Sequence, residues 1–314
     1  MFKGKQILIA GGNGLIGKQL VDLLLEKGSI VTVADLKDSD NPQIRNLQLD
    51  LTNYENCLAS CDGMDYVFNL LCSKGSPKTM KERPASCFVP MLLFNTNLMR
   101  AAKERGVKKY LYTSTLGVYA PSEISHEDDV WQTYPSKNDK FAGWAKRMGE
   151  LQAEAYQIEY GWDDITIVRP ANTYGPYDDF DSDEAMVVPS LIKKALSGIN
   201  PLVVWGDGSN IRDFIHSSDI ARGMIIAMEN SPGPLRPINL GSGTGHSIKQ
   251  LVEIILSNID NPPDVFWDKD KITGDKMRIL NIERAKDMGF APTISIEDGI
   301  KEVIEWYKEN RLGN

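Results

Sequence analysis

The first half of the chain alternates apolar runs with amphipathic stretches. Ile7-Leu8-Ile9-Ala10 is a continuous apolar run, and residues 18–25 after it carry their apolar positions at helical spacing. Ser29-Ile30-Val31-Thr32-Val33-Ala34 is a second run, and residues 65–71, 109–114 and 165–168 are three more. Between these last three, residues 91–104 and 146–160 read as helices, closed by Gly106 and Gly161. Buried strands that alternate with helices predict an α/β fold, a doubly wound parallel sheet covered on both faces. Ligands of such a sheet sit outside the carboxyl ends of its strands.

After Pro170 the pattern changes. Turn formers crowd into Tyr174-Gly175-Pro176-Tyr177-Asp178-Asp179, and the elements become shorter and more mixed. This predicts a smaller, discontinuous α/β lobe over residues 171–211 and 243–314. Residues 1–170 and 212–242 then form the sheet domain, which the chain re-enters at Ile238-Asn239-Leu240. The last element is a helix over residues 296–310 with Ile300, Val303, Ile304 and Tyr307 on one face.

The turn between the first strand and first helix carries chemistry. Gly11-Gly12-Asn13-Gly14-Leu15-Ile16-Gly17 is a GxxGxxG segment in strand–turn–helix context, which suits a diphosphate on the helix N-terminus. Asp35 ends the second strand, where a carboxylate accepts the two ribose hydroxyls of an adenosine and repels a 2′-phosphate. The reading is NAD in preference to NADP. Lys37 is the nearby feature that would help a 2′-phosphate, and a plain turn cap is the alternative role for Asp35.

The 314 residues suffice for one large domain or two intimate ones, and 42% hydrophobic with 25% charged residues is ordinary for a globular protein. A net charge of −8 gives no reason to expect nucleic acid or an acidic membrane as partner. With no leader and no membrane-length apolar run in the sequence, the expectation is a cytoplasmic protein. Cys57 and Cys61 stand one helical turn apart but without a nearby His. His126, His216 and His246 are isolated, so no metal site is expected.

Several segments in order resemble the extended short-chain dehydrogenase/reductase family, the NAD-dependent sugar-nucleotide epimerases, dehydratases and ketoreductases. They are the glycine turn, Asp50-Leu51-Thr52, residues 112–119, residues 143–150, Arg169-Pro170-Ala171-Asn172-Thr173-Tyr174-Gly175-Pro176, Trp205-Gly206-Asp207-Gly208, and Arg212-Asp213-Phe214-Ile215-His216. The resemblance implies a Rossmann domain with NAD contacts from Gly11, Gly14, Leu15, Ile16, Asp35, Asp50, Leu51, Leu71 and Lys146. It implies a nucleotide-sugar substrate. Ser73 and Lys74 would face cofactor and sugar, and Asn172, Arg212 and Arg278 the diphosphate. Val188, Lys193 and Trp205 would lie near the base and its ribose. Plain core packing is the alternative for Val188 and Trp205. The helices over residues 91–104 and 146–160 imply a homodimer.

The family's acid/base pair is YxxxK, helped by a Ser or Thr. Lys146 and Thr115 match the lysine and the hydroxyl residue, but the tyrosine position is Ala142, whose methyl carries no proton. Three readings follow: a deliberate Tyr→Ala change in an ordinary enzyme, another acid/base such as Tyr119, Tyr134 or Tyr177, or a protein that binds without turnover. Leu116-Gly117 stand where 4,6-dehydratases of the family carry Asp-Glu, which argues against dehydration. The loop lacks the Cys of GDP-fucose synthases, and Tyr177 follows Gly175-Pro176 where they have His, which argues against a 3,5-epimerase step. Oxidation and re-reduction at C4 remains, with one-way 4-ketoreduction as the alternative.

Overall fold

The computed structural model describes residues 1–73, 82–182, 185–230, 232–271 and 273–312. Its first half runs β1 (Gln6–Ala10), α1 (Leu15–Glu26), β2 (Ile30–Asp35), β3 (Arg45–Gln48), α2 (Tyr54–Cys61), β4 (Tyr66–Asn69), α3 (Pro84–Glu104), β5 (Lys109–Thr113), β6 (Ile124–Ser125), α4 (Lys140–Tyr160) and β7 (Ile165–Pro170). The second half runs β8 (Asn172–Tyr174), α5 (Val187–Leu196), β9 (Leu202–Trp205), β10 (Ile211–His216), α6 (Ser217–Glu229), β11 (Ile238–Leu240), β12 (Gly245–Ser247), α7 (Ile248–Ser257), β13 (Val265–Asp268), β14 (Met277–Leu280), α8 (Glu283–Asp287) and α9 (Ile296–Tyr307).

Among the described residues, seven strands pair in the order β11-β7-β5-β4-β1-β2-β3, every neighbour parallel. The predicted doubly wound sheet is therefore present, with its strand order reversing between β1 and β4. A crevice opens at the carboxyl ends of those two strands. One face packs α1 and α6 on Ile7, Ile9, Val31 and Val33, and the other packs α2, α3 and α4 on Leu8, Val67, Tyr110 and Ile167.

The helices start earlier than the periodicity predicts. The α3 helix begins at residue 84, where Pro84 suits the first turn because its missing N–H has no intrahelical acceptor to lose, and it continues past Pro90. The α4 helix begins at residue 140, because the small residues Gly143 and Ala145 extend its packed face. Gly161 ends it with φ of 61°, as the sequence indicated. The last helix stops at Tyr307 and loosens into a π turn, Lys308–Leu312.

The second lobe holds β12-β10-β14-β6, with β8 also on β10, and a separate β9–β13 pair. Residues 211–216 thus lie on the lobe's sheet, and the chain returns to the large sheet through α6 and β11. The reason is hydrogen-bonded pairing: β10 is parallel to β14 with Arg212 opposite Arg278, and parallel to β8 with Phe214 opposite Asn172. Asp213 locks this arrangement. Its buried carboxylate accepts from the N–H and hydroxyl of Ser242 and from the N–H groups of Gly243 and Leu280.

One polar cluster crosses the middle of the molecule. Arg169, fully buried on β7, meets Glu150 of α4 through two parallel bonds of 2.9 and 2.6 Å. Ser114 donates to the same carboxylate, and Arg169 also donates to Tyr119 Oη and the Glu127 carbonyl. Tyr119 donates in turn to Asn239 of β11 at 2.6 Å. Removing one partner of such a pair leaves the other charge buried and unmatched, so Arg169→Met will cost about 3–5 kcal/mol of stability, read from denaturant unfolding. A loss under about 1 kcal/mol, the range of a surface pair, would contradict this account.

His216 caps α6 by accepting from Ser218 N–H at Nδ1. Burial pushes its pKa below the ordinary value, against the opposing pull of Glu302 and Asp219. The folded state therefore holds His216 neutral while the unfolded chain takes up a proton below about pH 6.5. Stability will be unaffected by this group above that pH and will fall as the pH drops through it. His216→Asn, which keeps the cap, should flatten the Tm between pH 5 and 7; an unchanged slope would refute it.

Candidate active site

The glycine turn closes over the end of β1. Gly11 has φ of +79°, a conformation that glycine adopts without strain, and its N–H donates to Ala34 O at 2.8 Å. A side chain on Gly17 would begin 2.5 Å from Gly12 O, so only glycine lets α1 start this close to the turn. Asp35, at the end of β2, accepts from the N–H of Asn13 in the turn and from the N–H of Lys37, both at 3.0 Å. Its carboxylate is thus fixed beside the turn, where the adenosine ribose of a dinucleotide would sit. A groove of about 1090 Å³ opens alongside, between α1, residues 37–41 and the loop over residues 177–182.

Lys146 projects from α4 to the same edge of the sheet. Its buried ammonium donates to Leu71 O at 2.8 Å and Thr113 O at 2.7 Å, just past β4 and at the end of β5. Burial holds its pKa below the ordinary lysine range, while Cys72 and Glu150 pull the other way. A lysine ammonium has three N–H donors, so one remains for a ligand. Ala142 lies one turn earlier on the same helix, half-buried against the core beneath α3 and α4. Thr115 caps the short 3-10 turn Leu116–Val118 by accepting from Gly117 N–H at 3.1 Å, which leaves its hydroxyl proton to donate.

In the lobe, Arg212 and Arg278 stand opposite each other on β10 and β14. Arg278 pairs with Asp139 and, at 3.0 Å, with Asp275. Arg212 donates to Ile211 O, and among the described residues no carboxylate forms an ion pair with it. Burial lowers its pKa, and the charge of Arg278 lowers it further. Neighbouring guanidinium groups carry donors of the kind that suit a dianion. Asp139 is the residue before α4, so Arg278 meets the start of the helix that carries Ala142 and Lys146.

The remaining expected residues divide. Leu15, Ile16, Gly14, Asp50 and Leu51 border the carboxyl ends of β1 and β3, where Asp50 accepts from Thr52 and Leu51 is buried. Ser73 follows β4, and Lys74 lies outside the described residues. Asn172 donates to Asp213 O at 2.9 Å, beside the arginines. Val188 is 2% exposed and packs in the lobe core. Lys193, in the last turn of α5, forms an exposed pair with Asp181. Trp205 is 55% exposed at the end of β9. Of the alternative tyrosines, Tyr119 is committed to Asn239 and Arg169, Tyr134 is 77% exposed against Trp144, and Tyr177 packs on Trp306 under Lys18. Sequence reasoning did not assign Asp139, Asp275 and Glu150. Glu150 lies within the 143–150 segment and Asp139 four residues before it, whereas Asp275 lies in no motif and is singled out only by its pairing with Arg278.

A model of the NAD dependent epimerase/dehydratase family matches residues 7–241. The chain belongs to that family. It is 29% identical to GDP-L-fucose synthase 1 of Arabidopsis thaliana over 98% of this chain and 94% of the relative. It is 25% identical to dTDP-4-dehydro-6-deoxy-D-allose reductase of Streptomyces bikiniensis over 98% of this chain and 97% of the relative. Among solved structures it resembles the UDP-glucose 4-epimerase of Thermotoga maritima with UDP-glucose, at 27% identity and a TM-score of 0.85, covering 97% of this chain and 99% of that one.

The glycine turn, the fixed Asp35 carboxylate and the remaining donor of Lys146 fit the family's nicotinamide dinucleotide. Gly17→Ala should push α1 off the turn and weaken NAD by an order of magnitude or more in a fluorescence titration. Undiminished NAD affinity would remove the turn from the cofactor site.

Proposed function

We propose that the chain handles a nucleotide sugar at C4, through oxidation to a 4-keto sugar and re-reduction, with Ala142 in the position of the acid/base. The observation that carries this reading is the shared helix. Asp139, which holds Arg278, and Lys146 are seven residues apart along α4, about 10 Å at 1.5 Å per residue. That is the reach of a pyranose ring joined through its anomeric oxygen to a phosphate. A diphosphate on Arg212 and Arg278 would then bring the far side of the sugar to Thr115, Ala142 and Lys146.

Gly11, Gly14, Asp35 and Lys146 would hold the dinucleotide, which supplies a reversible hydride acceptor when bound. The Asp35 carboxylate supports NAD over NADP. Thr115 donates its hydroxyl proton to the sugar hydroxyl and fixes its direction. Lys146, a buried cation, stabilises a neighbouring oxyanion. A methyl at residue 142 neither gives nor takes a proton, so the chain binds its ligands and turns over slowly. One-way 4-ketoreduction is the second reading, favoured by the similarity to a 4-dehydro-sugar reductase.

We also infer a homodimer through α3 and α4. They pack on each other and leave Val89, Leu93, Leu151 and Ile158 exposed. A second copy of the same two helices would cover that surface. No helix among the described residues is long and apolar enough to cross a membrane, and a cytoplasmic location fits this reading.

The test is Ala142→Tyr. With Lys146 and Thr115 in place, the variant should gain about 10²–10⁴ in turnover, the range of a positioned acid/base. Conversion of UDP-, GDP-, CDP- and dTDP-hexoses by both forms is followed by chromatography. No gain on a substrate that the present chain already converts would move the acid/base elsewhere. If both forms bind a sugar nucleotide and convert none, the chain is a binding protein.

A further inference from the structure

A second pocket, of about 380 Å³, lies beside the arginine pair, between the β9–β10 loop and residues 269–271 and 273–276. Gly274 joins the two sites: it lines the pocket, and a side chain there would begin 3.2 Å from Arg212 Nη2. Asn210 fixes this wall by donating to Gly274 O at 3.2 Å and Asp275 O at 3.0 Å. A nucleotide with its diphosphate on Arg212 and Arg278 would therefore extend its nucleoside into this pocket. The inference rests on the nucleotide-sugar reading and deepens it.

The polar groups of the pocket are of two kinds. Asp207 is oriented by Ser209, whose N–H and hydroxyl donate to Oδ1 at 2.9 and 2.6 Å. Those bonds lower its pKa, so it is an ionised acceptor with Oδ2 still available. Lys269, Lys271 and Lys276 supply donors around the same space. Trp205 presents an exposed face nearby, with Lys271 Nζ 5.9 Å from its ring centroid.

We infer that this pocket reads guanine, with Asp207 accepting from the base's N–H groups and the lysines donating to its oxygen and ring nitrogen. Guanine carries an amine and a ring N–H side by side, next to the O6 and N7 acceptors. A carboxylate meets two adjacent N–H donors as it meets a guanidinium, with charge-assisted bonds. Uracil and thymine offer one N–H between two carbonyls, which would face the carboxylate with an acceptor. Adenine lacks the O6 acceptor that the lysines would serve. The exposed Trp205 ring gives a flat base a surface on which to stack.

The full chain is titrated calorimetrically with GDP, IDP, UDP and ADP in the presence of NAD. GDP should bind about tenfold or more tighter than UDP and ADP, the discrimination of one good paired contact. IDP, which lacks the amine, should fall between. Asp207→Asn should remove most of the preference for GDP and leave UDP affinity and NAD affinity unchanged; retained NAD affinity reports that the variant is folded. UDP binding as tight as GDP, or an equal loss for every nucleotide in Asp207→Asn, overturns the guanine assignment alone. If NAD binds and no nucleoside diphosphate does, the nucleotide-sugar reading fails and takes this inference with it.

Discussion

The arrangement of the cleft depends on the buried pair of Glu150 and Arg169. Ala142, Lys146 and Glu150 recur every fourth residue on α4, so they form one stripe facing the sheet. Taking a carboxylate and a guanidinium out of water is expensive, and an unmatched one would be far worse. Here the remaining donors and acceptors are served by Ser114, Tyr119 and the Glu127 carbonyl. Burial alone would pull the pKa of Arg169 down; Glu150 and Tyr119 more than reverse it, so the arginine stays charged. The consequence is positional. With Glu150 fixed, α4 cannot slide along the sheet, and Lys146 one turn away is held at the ends of β4 and β5.

The same helix links the two halves of the molecule. At its start, Asp139 receives Arg278 from β14, and Asp213 ties β14 to β10 and to the loop after β11. Two carboxylates, Asp139 and Asp275, serve Arg278, while Arg212 opposite it forms no ion pair with a carboxylate among the described residues. Two like charges held in register repel each other; Asp275 and Asp139 oppose this at Arg212 as well, yet burial and Arg278 still leave its pKa lowered. An anion between the arginines would complete the balance. On the proposed reading, strand pairing places both arginines for a phosphate before any ligand arrives.

Much of the large sheet was legible because most of its strands are continuous apolar runs; the edge strand β3, Arg45-Asn46-Leu47-Gln48, has no such pattern. The nucleotide-facing turn, Asp35, Lys146 and the arginines were legible as motif positions. Pairing across the sequence was not. The sequence pattern groups residues 212–242 with the sheet domain, and only the register of β10 with β8 and β14 assigns residues 211–216 to the lobe's sheet. Glu150 stands four residues after Lys146 on α4, yet its ion-pair partner is Arg169, nineteen residues later in the chain. Val188 and Trp205 carry similar apolar side chains in sequence, yet one is core and the other open, because they lie on a helix face and at a strand end.

The residues that match the family's acid/base motif differ in what they imply about turnover. Lys146 has a structural task of its own: its ammonium bridges the carbonyls of Leu71 and Thr113 and so holds the ends of β4 and β5 together. Thr115 likewise caps the turn that follows β5. Either residue would be useful to a protein that catalyses nothing, so their presence beside Ala142 does not by itself argue for chemistry. Arg212 is different. A half-buried guanidinium next to another one is a standing cost to the fold, which the charges of Asp275 and Asp139 and the bond to Ile211 O offset only in part. A ligand's negative charge would offset that cost. Anion binding is thus the activity that the fold explains most directly, and proton transfer is the one that hinges on residue 142.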